Sequence, residues 1–144
     1  MKAKKLRPQA SLPARATQHS AGYDLRACVD EPVTIPAGER ITVPTGIAVD
    51  LEDPKLCGLI FGRSGLGIKY GIVPANAVGV IDADYRGEIM VGLQNHSRNN
   101  YIIQPGERIA QLVVVPILTP SVEECEELSY TDRGEGGFGS SGRV

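Results

Sequence analysis

Tryptophan is absent from the 144-residue chain, and phenylalanine, methionine and histidine occur only twice each. His19 and His96 are far apart in sequence, so neither a zinc site nor a nucleophile–base pair is expected from them. Cysteine is scarce as well. Cys28, Cys57 and Cys125 cannot all pair within one chain and show no metal-ligand spacing, so reduced and mostly buried thiols are expected. The longest apolar run, Leu112 to Leu118, is broken by Pro116 and is far too short to span a membrane. An excess of positive charge is also missing: the formal net charge is −2, which leaves no electrostatic footprint for duplex DNA. Lys2, Lys4, Lys5 and Arg7 form a short basic run without the apolar stretch of a signal peptide, and read as a solvated tail. Together these absences point to a soluble, cytoplasmic protein with neither nucleic acid nor membrane as a partner.

Glycine and proline are plentiful, 17 and 10 residues spread along the chain, and long helices are therefore not expected. From Val33 onward, short apolar runs alternate with Pro and Gly. Val33–Ile35, Arg40–Val43, Ile47–Leu51, Leu56–Phe61, Lys69–Val73, Val78–Ile81, Glu88–Gln94, Tyr101–Ile103 and Ile109–Pro116 read as strands. Only Ser64 to Ile68 offers a turn of helix. Many short strands at this spacing predict an all-β sandwich, jelly roll or barrel with little helix. Ile35-Pro36-Ala37-Gly38-Glu39-Arg40 and Ile103-Gln104-Pro105-Gly106-Glu107-Arg108 look alike and read as equivalent turns in two halves of such a fold. After Tyr130 the composition changes to Gly, Ser and Arg. Residues 1–130 are thus expected to form one β domain, and 131–144 a flexible arm that cannot offset its ordering entropy by burial.

Five polar, glycine-bearing stretches carry the chemistry. The most informative is Gly79-Val80-Ile81-Asp82-Ala83-Asp84-Tyr85-Arg86-Gly87-Glu88-Ile89, read as a β-hairpin whose turn holds two carboxylates. Taken alone it is an ordinary surface turn. Asn76 precedes it. A strand edge there offers the alternating N–H and C=O groups that match a uracil edge, and one carboxylate of the turn can act as general base toward water. Ala21-Gly22-Tyr23-Asp24-Leu25-Arg26-Ala27 places a carboxylate beside a glycine; it suits Mg²⁺ held through water, but taken alone it reads rather as a strand-entry turn with Asp24 paired to an arginine. Gly62-Arg63-Ser64-Gly65-Leu66-Gly67 combines backbone N–H groups, a hydroxyl and a guanidinium suited to an anion, but is no P-loop. In Gly106-Glu107-Arg108-Ile109-Ala110-Gln111, Gln111 is the polar outlier of an apolar strand, suited to a phosphate or to half-buried pairing. The fifth, Arg133 to Arg143 with Phe138, Gly139, Ser140 and Ser141, suits stacking on a base and clamping of phosphates; read alone it is equally a disordered terminus.

In this order the five stretches, from about Ala21 to Arg143, closely resemble the motifs of the trimeric deoxyuridine triphosphate nucleotidohydrolase (dUTPase) family. The resemblance implies a jelly-roll-like β fold, a homotrimer with active sites at subunit interfaces, and Mg²⁺-assisted hydrolysis of dUTP to dUMP and pyrophosphate. It implies that Asp82 activates the water that attacks the α-phosphorus, and that Asp24 holds the water shell of Mg²⁺. Arg63, Ser64, Gly65 and Gln111 then meet the phosphates or their ordered waters, with Gly65 standing where many family members carry a second serine. Asn76, Gly79 and Met90 recognise uracil, and Tyr85 packs against deoxyribose. Arg133 meets the γ-phosphate, Phe138 covers uracil, and Gly139, Ser140 and Ser141 reach the phosphates.

Two rivals remain open at this stage. A dCTP deaminase shares the fold but places a glutamate where this chain has Gly92, after Gly87-Glu88-Ile89-Met90-Val91. A non-catalytic nucleotide-binding regulator on the same fold is the other.

Overall fold

The apolar runs become strands because Gly and Pro punctuate them and β-branched residues fill them. In the computed structural model, residues 1–137 are described, and chain order gives β1 (Lys2–Lys5), β2 (Tyr23–Arg26), β3 (Val33–Ile35), β4 (Arg40–Pro44), β5 (Ile47–Asp50) and β6 (Leu56–Phe61). The single helix among them, α1 (Ser64–Tyr70), follows, then β7 (Ile72–Pro74), β8 (Gly79–Ile81), β9 (Met90–Asn95), β10 (Tyr101–Ile103) and β11 (Arg108–Pro116). Every strand pair is antiparallel. The largest sheet runs β2-β11-β6-β8, a second runs β4-β9-β7, and β1-β5 and β10-β3 are two-stranded. Between the sheets lies one core in which Leu25, Ile35, Ile47, Leu93, Ile103 and Leu112 are essentially without solvent contact. Each such side chain contributes about 1.5–3 kcal/mol by leaving water. The all-β, jelly-roll-like expectation with little helix is met.

The two similar phrases have a structural counterpart. Pro36 and Gln104 carbonyls accept from the Glu39 and Glu107 amides at 3.1 and 3.0 Å, with Gly38 and Gly106 at φ 77° and 75° in the third position. These are type II turns, which require a positive φ there and so favour glycine. The strands that precede the turns, β3 and β10, pair with each other.

Four expectations need correcting. Gly79–Ile89 is not a hydrogen-bonded hairpin, because β8 pairs with β6 whereas β9 pairs with β4 and β7. Two apolar runs flanking a polar turn look the same in sequence whether or not they pair with each other. The basic run is a strand rather than a solvated tail: β1 pairs with β5, and Lys2 Nζ lies 2.7 Å from Glu52. Its four residues are all exposed, so no apolar alternation marks it. Lys69 and Tyr70, read as the start of a strand, end α1 instead; Gly71, at φ 70°, caps the helix with its N–H on the Gly67 and Leu66 carbonyls. Tyr23–Arg26, outside the strands read from the sequence and at most a strand-entry turn there, is the edge strand β2.

Candidate active site

One cluster grows from β2, β6 and β11. Asp24 sits opposite Gln111 in the ladder, and Gln111 sits opposite Phe61, so three neighbouring strands converge here. Arg63 Nε donates to Asp24 Oδ1 and Arg108 Nη1 to Asp24 Oδ2, each at 3.1 Å. The Asp24 side chain is only 17% exposed, so the pairs are partly shielded from water. With two guanidinium groups on one carboxylate the cluster carries a net positive charge, which suits a polyanion. Gln111 Nε2 donates to the Gly62 carbonyl at 2.9 Å. Gly22 makes this close approach possible: a Cβ there would stand 2.6 Å from Gln111 Oε1. Ser64 and Gly65 are exposed in the first turn of α1, directly after Arg63.

Arg108 is a residue that sequence reasoning missed. The β11–β2 register slips between Arg108 and Ala110, so Ile109 is an extra residue in β11. Such a bulge inverts the alternation of faces. Ile109 and Ala110 are both buried, and Arg108 lands on the face of Gln111 and Asp24 instead of pointing at the core. Two consecutive small or apolar residues inside an otherwise alternating strand were the available signal.

A second group gathers around the loop between β8 and β9. Asp82, Tyr85 and Met90 line a cavity of about 230 Å³ together with Val80, Ile81 and Glu88. Met90 also borders a second cavity, of about 300 Å³, where Asn76 and Gly79 are found. Gly92 lines that cavity and contributes no carboxylate where a deaminase would carry one. The Tyr85 amide closes a turn onto the Asp82 carbonyl at 3.1 Å, and the Tyr85 hydroxyl donates to the Glu88 carbonyl at 2.9 Å. Glu88, not singled out in the sequence, accepts from the Gly46 N–H at 2.7 Å. Its partner is distant in the chain, which hides the pairing from any local pattern.

Within one chain Asp24 and Asp82 lie far apart, although Gly79, opposite Ile60, is much nearer the first cluster. From Asp24 to Asp82 the path crosses from β2 over β11 and β6 to β8, with Gln111 opposite Phe61 and Gly58 opposite Ile81. Three strand spacings of about 4.8 Å and four residues along β6 at about 3.3 Å separate the two backbones by roughly 20 Å. Arg133 is exposed and its Nε donates to the Gly136 carbonyl at 2.9 Å. Phe138, Gly139, Ser140 and Ser141 lie outside the described residues.

Among the described residues no group of three His, Cys, Asp or Glu side chains could cage a metal ion. Asp24 could meet Mg²⁺ only through water. Its two oxygens each accept one arginine and keep lone-pair capacity for water, which suits an ion that retains its water shell and rides on substrate phosphates.

Comparison with known proteins bears on the family and the fold. The dUTPase family model matches residues 8–142. The deoxyuridine 5′-triphosphate nucleotidohydrolase of Psychrobacter cryohalolentis is 56% identical over 134 residues, which cover 92% of this chain and 87% of that one. Among solved structures, a Staphylococcus bacteriophage 80alpha dUTPase mutant with dUpNHpp superimposes with TM-score 0.88 at 33% identity, covering 98% of this chain and 97% of that one. A mutant dUTPase from phage phi11 of S. aureus, described for its coordination of a structural Mg(II) ion, gives TM-score 0.80 at 27% identity, covering 90% of this chain and 98% of that one. With a family model spanning nearly the whole sequence, the chain belongs to the dUTPase family.

Proposed function

We propose that the protein hydrolyses dUTP to dUMP and pyrophosphate, with Asp82 as the general base that takes a proton from the attacking water. The observation that carries this reading is the cavity in which Asp82, Tyr85 and Met90 meet, in a chain of the dUTPase family. Uracil enters between β8 and β9, where Asn76, Gly79 and Met90 present polar and backbone groups to its edge. β8 is the edge strand of its sheet, paired with β6 on one side, and its outer edge can receive a base. Tyr85 stands against the deoxyribose and crowds out a 2′-hydroxyl.

Arg63, Arg108 and Gln111, with Ser64 and the Gly65 amide beside them, hold the phosphates and spread the developing negative charge. Mg²⁺, held through water at Asp24, supplies further charge neutralisation on the triphosphate when bound. From residues 131–144, Arg133 meets the γ-phosphate, Phe138 covers uracil, and Gly139, Ser140 and Ser141 reach phosphate oxygens, so that this arm closes over the ligand.

The separation of Asp82 from Asp24 supports a site completed between subunits, in a homotrimer in which one chain supplies the phosphate cluster and another the Asp82 loop. Pyrophosphate release from dUTP, UTP, dCTP and dTTP tests the substrate assignment. dUTP should be turned over far faster than the other three, and ammonia release from dCTP or equal rates with all four would refute it.

A further inference from the structure

The loop that carries Asp82 has no ladder of its own. β8 ends at Ile81, β9 begins at Met90, and the two belong to different sheets. What seats the loop is β5 and the turn before it. The Ile89 amide donates to the Ile47 carbonyl at 2.8 Å, and the Thr45 amide and hydroxyl donate to the Ile89 carbonyl at 3.3 and 2.7 Å. These bonds hold the end of the loop. Its tip is held by Arg86. Nη1 donates to the Ala83 carbonyl at 2.7 Å and to the Tyr85 carbonyl at 3.0 Å, while Nη2 donates to Asp50 Oδ1 at 2.9 Å. One planar group therefore ties the Asp82–Tyr85 turn to the end of β5.

We propose that Arg86, oriented by Asp50, is the positioning residue that fixes the Asp82–Tyr85 turn for water activation and sugar selection. The proposal rests on reading Asp82 as the base and Tyr85 as the sugar filter. Packing does not explain the grip. The Arg86 and Asp50 side chains are 54% and 36% exposed, and both border two open cavities of about 330 and 380 Å³. An ion pair so exposed adds little to stability. What it adds is geometry, because a rigid fork serves three oxygens at once and an ammonium does not reproduce that plane. Asp50 Oδ1 also accepts from the Glu52 amide at 2.9 Å, and its link to the Asp82–Tyr85 turn runs through Arg86.

The test compares Arg86→Ala, Arg86→Lys, Asp50→Asn and the Asp50→Asn/Arg86→Ala double variant with the unaltered full chain. The readouts are kcat, KM, the dUTP-to-UTP ratio of kcat/KM, and melting temperature. Arg86→Ala should lose about 10- to 100-fold in kcat, the scale of a small misplacement of a reacting group. The dUTP-to-UTP ratio should fall with it, while the melting temperature changes little. Arg86→Lys should show the same losses in weaker form, which serves if the alanine variant does not fold. The double variant should be no worse than Arg86→Ala alone. Millimolar guanidinium should restore part of the Arg86→Ala rate where ammonium does not. Unchanged kcat and unchanged ratio in Arg86→Ala and Arg86→Lys would overturn the proposal, as would strictly additive losses in the double variant. If that happens while Asp82→Asn is inactive, the function assigned to Asp82 stands and only the role of Arg86 falls. An active Asp82→Asn would overturn both.

Discussion

Tyr85 lies across Gly87. A Cβ added at Gly87 would stand 2.6 Å from Tyr85 Cζ and closer still to the phenolic oxygen, which itself donates to the Glu88 carbonyl. Only a residue without a side chain leaves the ring where it is. The contact is with the movable end of a side chain, so a methyl group should displace the ring rather than unfold the loop. Gly87→Ala should therefore lower the dUTP-to-UTP ratio of kcat/KM while leaving the melting temperature nearly unchanged. A ratio equal to that of the unaltered protein would remove Tyr85 from sugar selection.

Asp82 is exposed on the loop and borders the cavity that Tyr85 and Met90 share. An amide keeps its shape but cannot take a proton. Asp82→Asn should bind a non-hydrolysable dUTP analogue almost as well as the unaltered protein, and lose about 10²- to 10⁴-fold in turnover, the usual worth of a general base. Calorimetry and a pyrophosphate assay on the same preparation separate the two effects. Near-normal turnover would move the role to Asp84.

Tyr101 donates its hydroxyl proton to Glu107, and burial, together with that hydrogen bond and the Glu107 charge, pushes its pKa well above the ordinary value. An unfolded tyrosine loses its proton at about pH 10. Above that pH the unfolded chain binds fewer protons than the folded one, so stability falls as pH rises toward the raised folded value. Below about pH 10 the contribution is fully present. Denaturant melts at increasing alkaline pH should show this loss, and Tyr101→Phe should flatten it. An equal slope in the two proteins would mean that Tyr101 is not the titrating group.

Much of the strand framework was legible because turn chemistry brackets it: Leu56–Phe61 and Tyr101–Ile103 have the bounds that the Gly, Pro and polar residues around them suggest. β1 was not, because a strand exposed along its whole length and held by its ladder with β5 leaves no apolar period. Within the site, Asp24, Arg63 and Gln111 were readable as polar outliers, and the structure brings them together. Arg108 was hidden by the bulge at Ile109, which reverses the face on which an arginine at that position falls. Glu88 and Arg86 were hidden for a different reason. Their partners, Gly46 and Asp50, come from another strand and turn, and a local pattern carries no information about such a pairing.

The central claim is that the phosphate cluster of one chain and the Asp82 loop of another form one site. Mixing two inactive proteins tests it directly. Asp82→Asn retains Asp24, Arg63, Arg108 and Gln111, whereas Arg63→Gln retains Asp82. Each should be nearly inactive alone. After dissociation and reassembly together, with mass measurement showing mixed oligomers, some sites should combine an intact cluster with an intact loop and dUTP turnover should return. Mixed oligomers that stay as inactive as either parent would contradict the account, because both groups would then have to come from the same chain.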